Sequence, residues 1–314
     1  MSAANRIDVH QHVVPPFWSD ALPAFGGDPS GWNSPAWSPE AAIAFMDNQQ
    51  IATGVLSLTA PGITGWQGTA RRDMARRVNE YTASLVQKRP DRFGNFATLP
   101  LPDVDGTLDE IRHAFDALKA DGVVLLSNYH GMYLGDRYFD AVWAELDRRG
   151  AVVFIHPSKP AIQTIDGIPG PIVDYPFDTT RCAVDMVLNG VMDRYRNVKV
   201  ILSHAGGFLP YAAYRFAELA NAVRPDAKPP ADIIESFQRF YFDTALSSGP
   251  SALLGLKTFV GTGRVLYGSD FPYAPARVGA SFTAMLDASD ALTSDEKAAV
   301  NAGNARGLFP RLDR

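Results

Sequence analysis

"RIDVHQHVVPPFW", Arg6 to Trp18, sets two histidines into a run whose apolar and β-branched residues read as a buried strand. Side chains of a strand alternate between two faces, so His10 and His12 point one way and Gln11 the other. Two imidazoles buried side by side need partners for their nitrogens. A divalent metal ion serves both; a pair of hydrogen-bonded core histidines is the plainer alternative, and this stretch alone leaves the two open.

Working outward, seven further short runs of the same character follow. They are TGVLSLT (53–59), FGNFATLPL (93–101), GVVLLS (122–127), AVVFIHP (151–157), VKVILSH (198–204), FYFDTAL (240–246) and RVLYGSD (264–270). Segments of helical periodicity, such as 108–120 and 139–149, lie between them, and this alternation predicts parallel strands joined by crossover helices. Eight strands, counting 7–14, fit a closed (β/α)8 barrel with residues 1–314 as one unit. Helix starts support the count. Ser38-Pro39-Glu40 sets a capping residue before a first-turn proline, and Thr107 to Glu110 and Thr293 to Glu296 read as capping boxes. The Gly- and Pro-rich stretches 22–39 and 157–176 read as long loops after the first and fifth strands, the kind that cover active sites.

In such a barrel the chemistry sits where the strands end. The first strand ends on His10 and His12, the fifth on His156, the sixth on His204 and the eighth on Asp270. Of the remaining two histidines, His113 falls in a helical segment and His130 in a loop. Three imidazoles and a carboxylate suit a zinc-like or manganese-like ion with a position left for water or substrate, which shifts the reading of His10 and His12 towards metal.

Composition narrows the remaining classes. A charged fraction of 20% and a hydrophobic fraction of 46% fit a globular chain, and no apolar run is long enough to span a bilayer. The N-terminus carries no secretory pattern, so a cytoplasmic location is expected. A net charge of -5 without a basic cluster argues against nucleic acid, and one cysteine excludes an internal disulfide or a cysteine-rich zinc site.

As an ordered set, DVHQH, FIHP, LSHAGG, YGSDFP and the terminal NARGLF resemble the metal-dependent amidohydrolase superfamily. Within it they are similar to the amidohydrolase-2 branch of decarboxylases related to aminocarboxymuconate semialdehyde decarboxylase. GVVLLSNYHGMYLGD and VILSHAGGFLPY look most like its 6-methylsalicylate decarboxylases. The resemblance implies that His10, His12, His156 and Asp270 are metal ligands, and that His204 beside them is an acid-base or polarising group. It also implies a homodimer in which an arginine after the sixth-strand histidine binds the substrate carboxylate; Arg215 stands at that place, a surface helix arginine being the other reading of it.

Two departures from relatives bear on the substrate. The fourth strand ends without the lysine that bridges two metals in binuclear members, so one ion, Zn or Mn, is expected. No Lys or Arg lies between Arg6 and Arg71, so a counter-ion for a second, remote carboxylate is missing. Aromatic residues stand after the strands instead: Phe17, Trp18, Tyr129, Phe208, Phe271 and Tyr273. A small aromatic monoacid is the expected substrate, with Phe17, Trp18, Tyr129 and Phe271 among its contacts. For decarboxylation, Asp270 is the expected proton donor to the ring carbon and His204 its assistant. Hydrolysis of an ester, lactone or amide by an activated water is the enzymatic alternative, and a non-catalytic metal or ligand-binding protein the third.

Overall fold

A computed structural model describes residues 6 to 313. All eight runs are strands: β1 Arg6–His12, β2 Ile51–Ser57, β3 Phe93–Thr98, β4 Gly122–Leu126, β5 Val152–His156, β6 Lys199–Leu202, β7 Tyr241–Asp243 and β8 Val265–Leu266. Each pairs in parallel with the next in chain order. The segment after β8 closes the ring onto β1: Val9 N donates to Tyr267 O (3.0 Å), Asp270 N to His10 O (2.8 Å) and His12 N to Phe271 O (2.7 Å). The architecture is the expected (β/α)8 barrel.

Helices stand on the outside of this ring, chiefly α1 Pro39–Asn48, α2 Gly68–Lys88, α3 Val104–Arg112, α4 Asp140–Arg148, α5 Asp174–Leu188, α6 Leu209–Val223, α7 Pro230–Gln238, α8 Pro250–Val260 and α9 Ala276–Ala288. Ser38 caps α1 by accepting from Ala41 N at 3.1 Å. Thr293 and Glu296 form the capping box read from their spacing, at 3.3 and 2.8 Å. The other expected box is absent, because α3 begins earlier: Asp103 accepts from Gly106 N (3.0 Å), and Thr107 is buried one turn in. Glu110 instead takes Arg76 Nε (2.9 Å) and Asn79 Nδ2 (2.8 Å) from α2, and the predicted helix 108–120 ends in a π-helical turn over His113–Ala117. Among the described residues no helix is long and apolar enough to cross a membrane.

β1 is not the regular strand that alternation implies. Asp8 pairs with Gly54 and Gln11 with Leu56, three steps on β1 against two on β2, which is a bulge of one residue. Ile7 and Val9 pack into the floor of the barrel with Val55, Phe96, Val124, Phe154 and Leu266. Strict alternation would then turn His10 and His12 outward; the extra residue brings them back to the inside. Asp8 holds the bulge, accepting from His10 N (3.1 Å), Ser269 N (3.0 Å), Ser269 Oγ (2.5 Å) and Gln11 Nε2 (3.2 Å).

The C-terminal segment seals the floor. Ala302, Ala305, Leu308, Phe309 and Leu312 join that apolar cluster, and Arg311 pairs with Asp121 through Nε (2.9 Å) and Nη2 (2.7 Å).

Candidate metal centre at the barrel mouth

Five side chains expected at the mouth do meet there, and all are buried. Ligand atoms of His10, His156, His204 and Asp270 lie within 4.8 Å of one another, a set able to hold a metal ion. His12 belongs to the same point: its Nε2 is 3.1 Å from His10 Nε2 and 3.0 Å from Asp270 Oδ1, which is itself 3.1 Å from His10 Nε2. Nitrogen and carboxylate donors at this density suit a divalent ion of the zinc or manganese kind.

Backbone geometry aims two of these groups. His204 and Ala205 have φ of 53° and 56°, and Asp270 has φ of 62°, a left-handed conformation costly for residues with a Cβ. The turn after His204 also requires glycine: at Gly207, with φ of +65°, a Cβ would fall 2.0 Å from Pro176 O. The HAGG motif is thus a tight turn against α5.

Every imidazole is fixed through its other nitrogen. His10 Nδ1 is 2.7 Å from Asp243 Oδ2, His12 Nδ1 is 3.1 Å from Ser57 Oγ, His156 Nδ1 is 2.8 Å from Pro157 O and His204 Nδ1 is 3.0 Å from Ala245 O. Such partners set ring orientation and tautomer, leaving Nε2 for the centre. Of these partners Asp243 carries the most weight, and it was not among the residues picked from the sequence. The signal was present, since the run FYFDTAL ends on a carboxylate as other strands end on histidine.

Burial and two carboxylates set the electrostatics of the cluster. Burial opposes a charge on His10, yet Asp243 and Asp270 outweigh it and push its pKa up to about 10. His156 goes well below its ordinary value, through burial and the neighbouring imidazoles. His12 also goes down, mainly through burial. Burial would raise Asp270, but His10 and the hydrogen bonds from both β1 histidines hold it well below the usual carboxylate range. Asp8, beneath them, is pushed up to about 7 by burial.

The expected aromatic contacts need correction. Trp18 is fully buried, donates from Nε1 to Gly62 O (2.8 Å) and packs with Leu58, Ile63 and Val78 against α2. Phe17 leans on Tyr81 and Arg77 of α2, its centroid 5.7 Å from the former ring and 3.9 Å from the latter's guanidinium. Tyr129 lies in the main core with its hydroxyl on Leu126 N (3.1 Å), and Phe271 stacks on Phe45 of α1 at 4.2 Å. The rings that do stand at the site are Tyr273, edge-on to His12 at 5.6 Å, and Tyr175, edge-on to His156 at 6.3 Å.

Tyr175 also lines a cavity of about 210 Å³, together with Asn128, Ser158, His130, Lys159 and Pro29. Asp178 of α5 holds this wall, accepting from Asn128 Nδ2 (2.7 Å), Tyr133 OH (2.6 Å) and Ser127 Oγ. The two long loops meet: Gly170 N donates to Ser30 O (2.8 Å), and Trp32 Nε1 donates to Tyr273 O (3.2 Å). Neither this cavity, which adjoins the cluster through Tyr175, nor a larger groove of about 620 Å³ between Arg137, Asp193 and Lys228 is lined by the converging groups themselves.

Arg215 is not brought to the site by its own chain. It is exposed on α6, beside Tyr211 and Tyr214, which are 92% and 65% exposed.

The model of the amidohydrolase family matches residues 7–311. A 6-methylsalicylic acid decarboxylase of Penicillium expansum is 42% identical, over 98% of this chain and 97% of its own. A decarboxylase of Aspergillus niger is 41% identical over 98% and 88%. Among solved structures, 5-carboxyvanillate decarboxylase of Sphingomonas paucimobilis superposes with a TM-score of 0.85 at 26% identity, covering 98% of this chain and 99% of that one.

Proposed function

Since the chain belongs to the amidohydrolase family, we propose that it is a metal-dependent, non-oxidative decarboxylase of a small aromatic hydroxy acid of the 6-methylsalicylate kind. The observation that carries this reading is the convergence of four imidazoles and Asp270, with Tyr273 against His12 and with Tyr175 between His156 and a small cavity. A volume of about 210 Å³ suits one substituted ring and little more.

In this proposal His10, His12, His156 and Asp270 hold one divalent ion, Zn or Mn, which supplies Lewis-acid polarisation of the substrate oxygens when bound. The remaining chemistry belongs to the chain. The bond between the ring and its carboxyl carbon breaks, carbon dioxide leaves, and the ring carbon takes a proton. Asp270 first accepts a proton from the hydroxy acid and then returns it to that carbon. His204, whose Nδ1–H is tied to Ala245 O, presents the Nε2 lone pair to the substrate and accepts the hydrogen bond of its hydroxy group. Tyr175 and Tyr273 keep water from the carbanion-like carbon.

The substrate carboxylate is assigned to Arg215 of a second copy, in a homodimer built around the exposed Tyr211 and Tyr214. The fork of an arginine holds an oxyanion through two bonds, which a lysine does not reproduce. Arg215→Lys should therefore raise KM for the acid and leave metal content unchanged. The barrel acts as a single cytoplasmic unit in this proposal.

The decisive experiment incubates metal-loaded protein with a panel of hydroxybenzoates and a parallel panel of aryl esters and lactones. Carbon dioxide and the decarboxylated phenol are expected from the first. Acid and alcohol from the second, with no carbon dioxide from the first, would replace this reading by hydrolysis.

A further inference from the structure

Asp243 ends β7, is completely buried, and uses both carboxylate oxygens inside the barrel. Its Oδ2 lies 2.7 Å from His10 Nδ1. Its Oδ1 accepts from His204 N at 2.8 Å and from Ala245 N at 3.0 Å. Ala245 O in turn takes His204 Nδ1 at 3.0 Å. One carboxylate therefore touches a β1 imidazole directly and grips the left-handed β6 turn, with φ of 53° at His204, from which the second imidazole projects. The arrangement leaves no slack, since a Cβ on Gly268 of the closing segment would sit 2.9 Å from His10 Cβ and 3.2 Å from Asp243 Cβ.

We propose that Asp243 is the positioning residue of the centre, fixing at once which nitrogen His10 offers to the metal and how His204 faces the substrate. The proposal rests on the metal-dependent reading given above. Its physical content lies in the difference between a carboxylate and an amide. A carboxylate only accepts, so the ring nitrogen it touches must carry the hydrogen, and the lone pair of a neutral His10 falls on Nε2, facing the mouth. In Asp243→Asn the amide oxygen stays on the two backbone N–H groups, because the reverse orientation sets donor against donor. The NH2 group then donates to His10 Nδ1, and the neutral ring carries its hydrogen on Nε2, where it blocks a ligand bond.

Two variants separate the two arms of the proposal. Asp243→Asn keeps the acceptor for His204 N and Ala245 N and loses only the choice of tautomer. Affinity for Zn²⁺ or Mn²⁺, measured by competition with a chromophoric chelator, should fall about 10- to 100-fold, the range for removed outer-shell partners. At saturating metal His10 carries its hydrogen on Nδ1 against the amide, so kcat should stay below that of the unaltered enzyme but above that of Asp243→Ala. Asp243→Ala also frees the β6 turn, so its kcat should stay low at saturating metal. A third measurement needs no variant: in the zinc-loaded protein, long-range proton–nitrogen spectra should show a slowly exchanging hydrogen on His10 Nδ1.

The outcomes divide cleanly. Unaltered protein that binds neither ion sinks the metal-dependent reading itself. Unaltered protein that binds metal while Asp243→Asn binds it equally well overturns the role of Asp243 alone, as does a zinc-loaded His10 with its hydrogen on Nε2. Equal melting shifts in both variants with unmoved metal affinity would make Asp243 a packing residue only.

Discussion

At the floor of the barrel Val55, Phe96, Val124 and Phe154 meet Ala305, Leu308 and Phe309 in a wholly apolar layer. At the mouth, a few residues further along the same strands, His10, His12, His156, Asp243 and Asp270 crowd together with no apolar side chain between the nearest ring nitrogens and oxygens. The floor gains free energy by excluding water, roughly 25 cal/mol for each Å² buried. The mouth concentrates buried polar groups, where burial opposes a charge on His10 but Asp243 and Asp270 drive its pKa up to about 10. The difference teaches that stability and chemistry are separated along the barrel axis, so a substitution should report on one or the other according to its height in the barrel.

The sharpest challenge to that division is His156→Ala, expected to strip the metal and abolish decarboxylation while the metal-free protein melts within a few degrees of the original. Metal analysis, carbon dioxide release and a thermal scan on one preparation test it. His204→Asn should keep its metal and lose turnover by about 10²- to 10⁴-fold, the usual contribution of acid-base groups. Loss of metal from that variant would make His204 a ligand, a possibility that its distance to the other ligand atoms keeps pertinent. At the floor, Phe96→Ala should cost about 3–5 kcal/mol in denaturant unfolding, with activity per folded molecule retained. A Phe96→Ala variant of normal stability with weakened metal binding would break the comparison. The smallest expected signal is a proton. His10, with a pKa near 10, is protonated at pH 8 before loading and must lose its Nε2 hydrogen to become a ligand, so zinc addition to metal-free protein in weak buffer should release about one proton from it.

Reading the sequence located the mouth because polar residues ending apolar strands stand out against their surroundings. His10, His12, His156, His204 and Asp270 carried that contrast, and Asp243 carried it too in FYFDTAL. The bulge in β1 had no such mark, since Arg6 to His12 reads as an unbroken strand and only pairing with β2 shows the extra residue. The direction of the loop aromatics is not legible in the sequence for a related reason. Phe17, Trp18 and Phe271 each follow a strand end, but whether a ring turns inward or onto a helix depends on packing partners such as Tyr81 and Phe45 that are distant in sequence. Tyr175 escaped notice because it opens α5 beyond a long loop, and Thr107 misled because the true cap, Asp103, lies four residues earlier.

The seam where the segment after β8 closes onto β1 has a consequence for how the protein is made. His12 and Asp270, 3.0 Å apart in the finished barrel, are separated by 258 residues of chain. At about 5–20 residues per second, a ribosome synthesises the histidine pair tens of seconds before the aspartate that completes it. During that interval the nascent strand offers two imidazoles without their carboxylate partner, and the ring has no last stave to close it. A protein cut short before Asp270 carries three of the four proposed ligands and lacks the one carboxylate among them, which nothing else in its sequence replaces.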